Sequence, residues 1–290
     1  DGYNQIEDTK AKVSTDNLLA SKFGVYDIAK DSVYFVNFSS LSHIQDVPKY
    51  TELYEKSKTT EKKDKLIVVQ EPIYNENGSY AIAEIRSQDN KDRWIVSLNL
   101  KKGTFQELDH QHDEAWIGGP GIPSYSFGRG TLGFLGDNET VYFQSEETGY
   151  SHLYTYNLKS KKKTQLTKGN WEVRNVNLSK DKKSFYLTTT TTHPGNRDFY
   201  KLEVANAVLQ PILTKDGAHE VSLSPDESTL IVRYSYKNKP WELYVAPNKK
   251  NTNLIQITTS TSESFKKYAW REPDVITFKA QDGTPVNARL

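Results

Sequence analysis

The sequence predicts an all-β chain of propeller type, built from consecutive four-stranded blades in an incomplete ring. Three observations carry this. Aromatics reach 12%, with 18 Tyr, against a hydrophobic content of only 36%. Such a composition, interspersed with Asn, Asp and Gly, suits many short strands joined by polar turns. From about Leu66 the chain then repeats with a period near that of a propeller blade, about 40–50 residues. Finally, the two-residue alternation is imperfect, as expected of strands covered on both faces by neighbouring blades.

The first half of each repeat is a strand, a tight polar turn and a second strand. Val176 to Asp181 is followed by Ser184-Phe185-Tyr186-Leu187, and Val221 to Asp226 by Thr229-Leu230-Ile231-Val232. The two Asp lie 45 residues apart. Earlier copies run from Asn75 to Ile82 and from Gly136 to Phe143. Asp, Asn and Gly fit such turns because they tolerate positive φ or cap their own backbone. The second half is an apolar-aromatic strand, a turn, and a strand ending in an apolar-Thr pair: Leu166-Thr167, Leu213-Thr214 and Ile257-Thr258, the Thr being 47 and 44 residues apart. Trp94 to Leu100 is an earlier copy of this strand, and Val25 to Phe35 an incomplete one.

Four whole blades are therefore expected at about 66–110, 124–168, 172–215 and 219–259, preceded by a remnant at 1–40. In domain terms, 1–65 is the incomplete blade with its insertion, 66–270 the four blades, and 271–290 a linker and the start of something further. Residues 41–65 are charged and read as a short helical insertion projecting from a blade, with Lys62-Lys63-Asp64-Lys65 a solvated face. Gly118-Gly119-Pro120-Gly121-Ile122-Pro123 and the stretch from Ser124 to Gly130 form a loop between blades, because Gly and Pro break the strand pattern. The tail from Val275 to Thr284 is a strand entering an Asp-Gly turn. The absence of Met, even at position 1, reads as a processed or excised chain whose export signal is out of view.

Composition excludes several functions. Net charge is +1, from 38 basic and 37 acidic residues, which gives no reason to invoke nucleic acid or an anionic membrane. Cys is absent, ruling out disulfides and thiol chemistry. The longest apolar run, Leu66-Ile67-Val68-Val69, is far too short for a membrane span. No G-x-S-x-G elbow, P-loop, G-x-G-x-x-G after a strand, HExxH or EF-hand loop occurs. No cofactor and no metal is expected. The pair His110 and His112 would share a strand face, a spacing that can ligate zinc, yet it reads more simply as a polar blade edge leading to Trp116. His152, His193 and His219 read as structural or exposed. Glu146-Glu147 could take an amine but reads as a hairpin with Gly149 at positive φ, and Lys161-Lys162-Lys163 as a hairpin tip.

Several stretches carry a resemblance: Ser145 to Tyr154 (SEETGYSHLY), Leu166 to Val173 (LTKGNWEV), Asp89 to Val96 (DNKDRWIV), His112 to Gly121 (HDEAWIGGPG) and Lys239 to Tyr244 (KPWELY). Together they resemble the propeller of prolyl oligopeptidase-family serine peptidases, nearest the dipeptidyl peptidase IV-like subgroup. In that family a propeller caps a C-terminal α/β-hydrolase domain holding Ser, Asp and His, and Glu272 to Phe278 is similar to the stretch where the hydrolase domain begins. The resemblance thus implies a non-catalytic propeller portion that gates and positions peptide substrates for a hydrolase domain of the same parent chain. None of the catalytic residues would lie in these 290 residues.

It also implies a substrate-access loop formed by Trp116, Ile117, Gly118, Gly119, Pro120, Gly121 and Ile122. The matching loop in the family offers an aromatic ring and an Arg; here Gly119-Pro120-Gly121 carries neither. Trp116 itself is expected to be an anchor packed between blades. The family's amine-binding Glu pair has no match, since Glu52 and Glu55 are not adjacent, so aminopeptidase and acylaminoacyl activities stay open beside dipeptidyl release. Homodimerisation of the full-length enzyme and export to a bacterial periplasm or envelope fit the same resemblance, with a cytoplasmic location left open. The alternative is a stand-alone propeller that binds protein or glycan in an envelope assembly.

Overall fold

The computed structural model describes residues 22–53, 62–122 and 128–290. Strands dominate: among the described residues, helix is confined to a 3-10 turn, Lys49–Leu53, and a short α1, Glu263–Lys267. The first hairpin pairs β1 (Gly24–Asp27) with β2 (Ser32–Phe35). A sheet follows from β3 (Ile67–Val69), β4 (Ile73–Tyr74), β5 (Ala81–Ser87), β6 (Asp92–Asn99) and β7 (Thr104–His112), in the order β3-β5-β6-β7 with β4 also on β5. Next come β8 (Leu132–Phe134), β9 (Thr140–Ser145), β10 (His152–Asn157) and β11 (Lys162–Gln165), ordered β11-β10-β9-β8. Then β12 (Val173–Leu178), β13 (Ser184–Thr189), β14 (Asp198–Glu203) and β15 (Val208–Leu213) form a third sheet. A fourth joins β16 (Ala218–Leu223), β17 (Thr229–Tyr236), β18 (Lys239–Pro247) and β19 (Ile255–Gln256), and a hairpin of β20 (Val275–Lys279) and β21 (Pro285–Arg289) ends the chain. The all-β fold with four-stranded antiparallel sheets is the one the repeats predict.

The turns owe their shape to one local device. Asp137, Asp181 and Asp226 each accept the N–H of the residue two positions on, and the intervening Asn138, Lys182 and Glu227 take φ of 59°, 57° and 58°. Capping by the Asp carboxylate therefore does the work, while positive φ falls on its neighbour. For Lys182 and Glu227 that backbone costs about 1 kcal/mol, offset by the capped N–H. The recurring Thr has a similar logic: Thr167 Oγ1 accepts from Leu153 N–H at 3.0 Å, and Thr258 Oγ1 from Leu243 N–H at 2.8 Å.

Two expectations need correction. The first sheet has five strands, because Pro72 offers no N–H to the ladder and splits the inner strand into β3 and β4. The 41–65 insertion, read as a short projecting helix, is helical and exposed over Lys49–Leu53 among its described residues, but its earlier part packs inward rather than projecting. Leu41 and Ile44 turn inward and join Phe38, Trp94, Val96 and Ile85 in a core, and only five residues form the 3-10 helix. Trp94 Nε1 donates to Ser42 O at 2.9 Å, and Ser42 donates from N and Oγ to Glu107, so the turn is fastened as well as buried. Tyr54, Glu55 and Lys56, and the stretch 123–127, lie outside the described residues.

The chain divides into two compact units, Asp1–Glu147 with Thr155–Thr164, and Thr148–Tyr154 with Gln165–Leu290. The first holds the core just described. In the second, Tyr186, Phe199, Ile212 and Leu213 pack with Leu230, Val232, Tyr234 and Ala246. Strands β5 and β13 are buried along their whole length, as strands covered on both faces must be. Strand β17 alternates instead, burying Leu230, Val232 and Tyr234 and exposing Ile231 and Arg233. Gly283, at φ 86°, closes the final hairpin as the Asp-Gly pair predicts.

Candidate functional site

The loop Trp116–Ile122 begins where β7 ends. Asp113 starts it by accepting the N–H groups of Ala115 and Trp116, both at 2.7 Å. Ile117 then inserts, 3% exposed, with its N–H on Asn90 O at 2.7 Å. Ile122, 2% exposed, is the second inward anchor and closes a tight turn onto Gly119 O at 3.0 Å. Gly119 and Gly121 hold φ of 115° and 74°, the region that favours glycine.

Trp116 is not the buried anchor expected of it; it is 46% exposed. The reason is local. Asp113 caps the turn so that the inward position falls one residue later, and the compact Ile117 fills it.

Beneath the loop lies a seat of long polar side chains that the sequence reading missed. Arg86 Nη2 donates to Ile117 O at 2.9 Å, Lys91 Nζ to Glu114 O and to Ala115 O, and Gln144 Nε2 to Pro120 O at 3.2 Å. Arg93, wholly buried, donates from Nη2 to Glu84 at 2.9 Å and from Nη1 to Gln144 O at 2.9 Å and Gln111 Oε1 at 3.1 Å. Glu84 in turn accepts Gly130 N–H at 2.9 Å, and Thr131 N–H closes on Gly121 O at 2.7 Å. Buried charges of this kind persist only when paired. The one signal in the sequence is Ala81-Ile82-Ala83-Glu84-Ile85-Arg86, two charges inside an otherwise apolar strand.

His110 and His112 do share a face, and their common partner is Asp92, buried on β6, at 2.9 and 2.8 Å. Lys65 reaches the same carboxylate. Burial alone would push the Asp92 pKa up, but the hydrogen bonds from His110, Lys65 and His112 outweigh it and hold it at about 2. Among the described residues, no group of three or more His, Asp or Glu side chains is arranged to hold a metal ion.

The remaining candidates are structural. His152 is buried between Thr167 Oγ1 at 3.0 Å and Gly169 O at 2.9 Å. His193 accepts Gly195 N–H at 3.0 Å, and buried His219 lies 2.7 Å from Arg197 O through Nδ1. Glu147 pairs with Lys163, Gly149 turns at φ 89°, and Glu146 lies against Gly119. Lys161, at φ 57°, forms the hairpin tip, while Lys163 reaches back to Asp109, whose pKa burial raises.

A family model described as the dipeptidyl peptidase IV (DPP IV) N-terminal region matches residues 32–241. Dipeptidyl peptidase 4 of Trichophyton rubrum is 29% identical over 201 residues, which cover 67% of this chain and 25% of that protein. The Arthroderma otae dipeptidyl peptidase 4 is 31% identical over 199 residues, 66% of this chain and 25% of that protein. The chain thus spans about a quarter of the length of these relatives. In structure it is similar to Porphyromonas gingivalis dipeptidyl peptidase 4, with a TM-score of 0.63 and 15% identity, over 92% of this chain and 34% of that one. At that identity the likeness shows the fold alone.

Proposed function

The chain belongs to the family of dipeptidyl peptidase IV N-terminal regions, and from that premise we propose that it is the propeller portion of a serine exopeptidase. In this role it gates and positions peptides for a separate α/β-hydrolase domain that supplies Ser, Asp and His. The observation that carries the reading is Trp116, an exposed aromatic ring on a loop whose backbone is fixed from beneath at Glu114, Ala115, Ile117 and Pro120. A ring held this way can meet a substrate side chain with little ordering cost. The neighbouring Gly119-Pro120-Gly121 rim offers only backbone, which suits larger and less defined residues than a rim bearing a cation. The same family reading supports an exported setting, and no helix among the described residues is long and apolar enough to cross a membrane.

The test uses the parent protein and the 290-residue chain side by side on Ala-Pro and Lys-Ala chromogenic substrates. Turnover is expected from the parent alone, since binding without nucleophile and base leaves only residual rate. Trp116→Ala in the parent should lower kcat/KM by about tenfold, the loss of one aromatic contact of about 1–1.5 kcal/mol. Turnover by the 290-residue chain that a serine-directed phosphonate blocks, or an unchanged kcat/KM in Trp116→Ala across peptides of varied second residue, would overturn the assignment.

A further inference from the structure

One of the cations that hold the loop from beneath has a second neighbour. Lys91 Nζ donates to Glu114 O and to Ala115 O, the latter at 3.2 Å, and Ala115 O belongs to the peptide bond that carries Trp116. The same Nζ lies 5.3 Å from the ring centroid of Tyr50. Lys91 is buried, so a single ammonium spans from the Tyr50 ring to the backbone of Trp116. A second tether runs beside it, Lys49 N–H donating to Glu114 Oε1 at 2.6 Å. The 3-10 turn Lys49–Leu53 is therefore fixed to the start of the loop at two points, and Tyr50, 52% exposed, is a second outward aromatic residue beside it.

The charges around the two rings oppose one another. Lys91 already meets the negative face of the Tyr50 ring, and it repels a second cation brought to that ring. Lys49 stands exposed on the same turn. Against these stand Glu52 on the turn and Asp113 and Glu114 at the start of the loop, with His112 lying 3.4 Å from Glu114. A charged ligand of either sign thus meets repulsion as well as attraction. What the surface turns outward is apolar area. Leu53, 82% exposed, follows Tyr50 by three residues and shares its side of the 3-10 turn. Singly exposed apolar residues need no explanation, but two aromatic residues on separate segments that one buried cation ties together mark a contact surface.

Building on the gating role proposed above, on which this rests, we infer that Tyr50 is a further specificity-determining residue, which together with Trp116 receives one large uncharged side chain of the peptide, aromatic or branched aliphatic. Aromatic rings supply large apolar area and stacking to such a group. Because Lys91 and Lys49 fix the turn to the loop, both residues are presented with little ordering cost. The peptide side chain completes an apolar surface that neither segment covers by itself.

Kinetics on the parent protein test this, with a peptide panel in which each residue near the N-terminus in turn is Phe, Leu, Ala, Lys or Glu. Tyr50→Ala should lower kcat/KM about tenfold for the peptides whose Phe or Leu meets the pair, mainly through KM, and leave their Ala, Lys and Glu counterparts within about twofold. Tyr50→Phe keeps the ring and should match wild type. An equal loss on every peptide would mean that Tyr50 only seats Lys91 and the loop, and it would overturn the inference. Trp116→Ala on the same panel separates this failure from that of the gating role. A loss in Trp116→Ala with Tyr50→Ala unchanged overturns the inference alone, whereas no loss in either variant removes the gating role with it.

Discussion

Gly121 lies directly over the side-chain amide of Gln144, so close that an added β-carbon would fall inside the carboxamide. Together with φ of 74°, this means a larger residue must both strain the backbone and push aside the buried Gln144 carboxamide. Gly121→Ala should therefore destabilise the first unit by about 1–3 kcal/mol, the range for a strained backbone position. Urea unfolding followed by tryptophan fluorescence reads this directly, and a midpoint equal to wild type would contradict it.

The same geometry governs Gly119, whose β-carbon would collide with the Glu146 carboxylate. Gly119→Arg, an obvious way to add a cation to the rim, is expected to unseat the loop rather than to create a new contact. Limited proteolysis should cut Gly119→Arg within residues 114–122 while the wild-type loop resists. Equal resistance would show that Glu146 yields.

Arg93 and Glu84 are both fully buried and pair at 2.9 Å. Removing one partner strands the other charge. Arg93→Met is predicted to cost about 3–5 kcal/mol, and Glu84→Gln in the same chain should restore part of that. A double-mutant cycle by chemical denaturation measures the coupling; additive losses would mean that the two charges act independently.

Two acid-dependent losses should be separable. Asp92, held at about 2, lies below its unfolded value near 3.9. Its contribution, about 2–3 kcal/mol, is complete above about pH 5 and lost as pH falls toward 2. His219 is the opposite group with the same sign. Burial lowers its pKa, so the unfolded chain binds the proton first, and stability is present above about pH 6.5 and lost as pH falls through the lower folded value. His219→Gln should flatten the upper limb of a stability-pH curve and Asp92→Asn the lower one. A curve whose two limbs are unmoved by these changes would refute the assignments.

What the sequence made legible was local. The Asp-led turns at Asp137, Asp181 and Asp226 and the Thr at 167 and 258 announce themselves because each acts within a few residues or within one repeat. The strand split at Pro72 is as local, set by the missing N–H, yet the blade pattern did not foresee it. Arg93 could not be matched to Glu84 and Gln144 from sequence, because those partners come from other strands and only the fold brings them together. Trp116 was misjudged because apolar area argues for burial while the choice between Trp116 and Ile117 rests on where Asp113 sets the turn. The shared partner of His110 and His112 was hidden in the same way, lying on the neighbouring strand.

The tethers beneath the loop have a common property: Arg86, Lys91 and Gln144 all donate to main-chain carbonyls, and Glu84 accepts a main-chain N–H. None of these bonds depends on which side chain the loop displays at its outward positions, although Gly119 and Gly121 must stay small to clear Glu146 and Gln144. The socket grips a path rather than a sequence. Positions such as Trp116, whose backbone is held and whose ring faces outward, can therefore be exchanged during evolution or in the laboratory without rebuilding the support. Selectivity at this rim becomes a replaceable part on a fixed mount, and a library confined to its outward residues should retain folding while its preferences diverge.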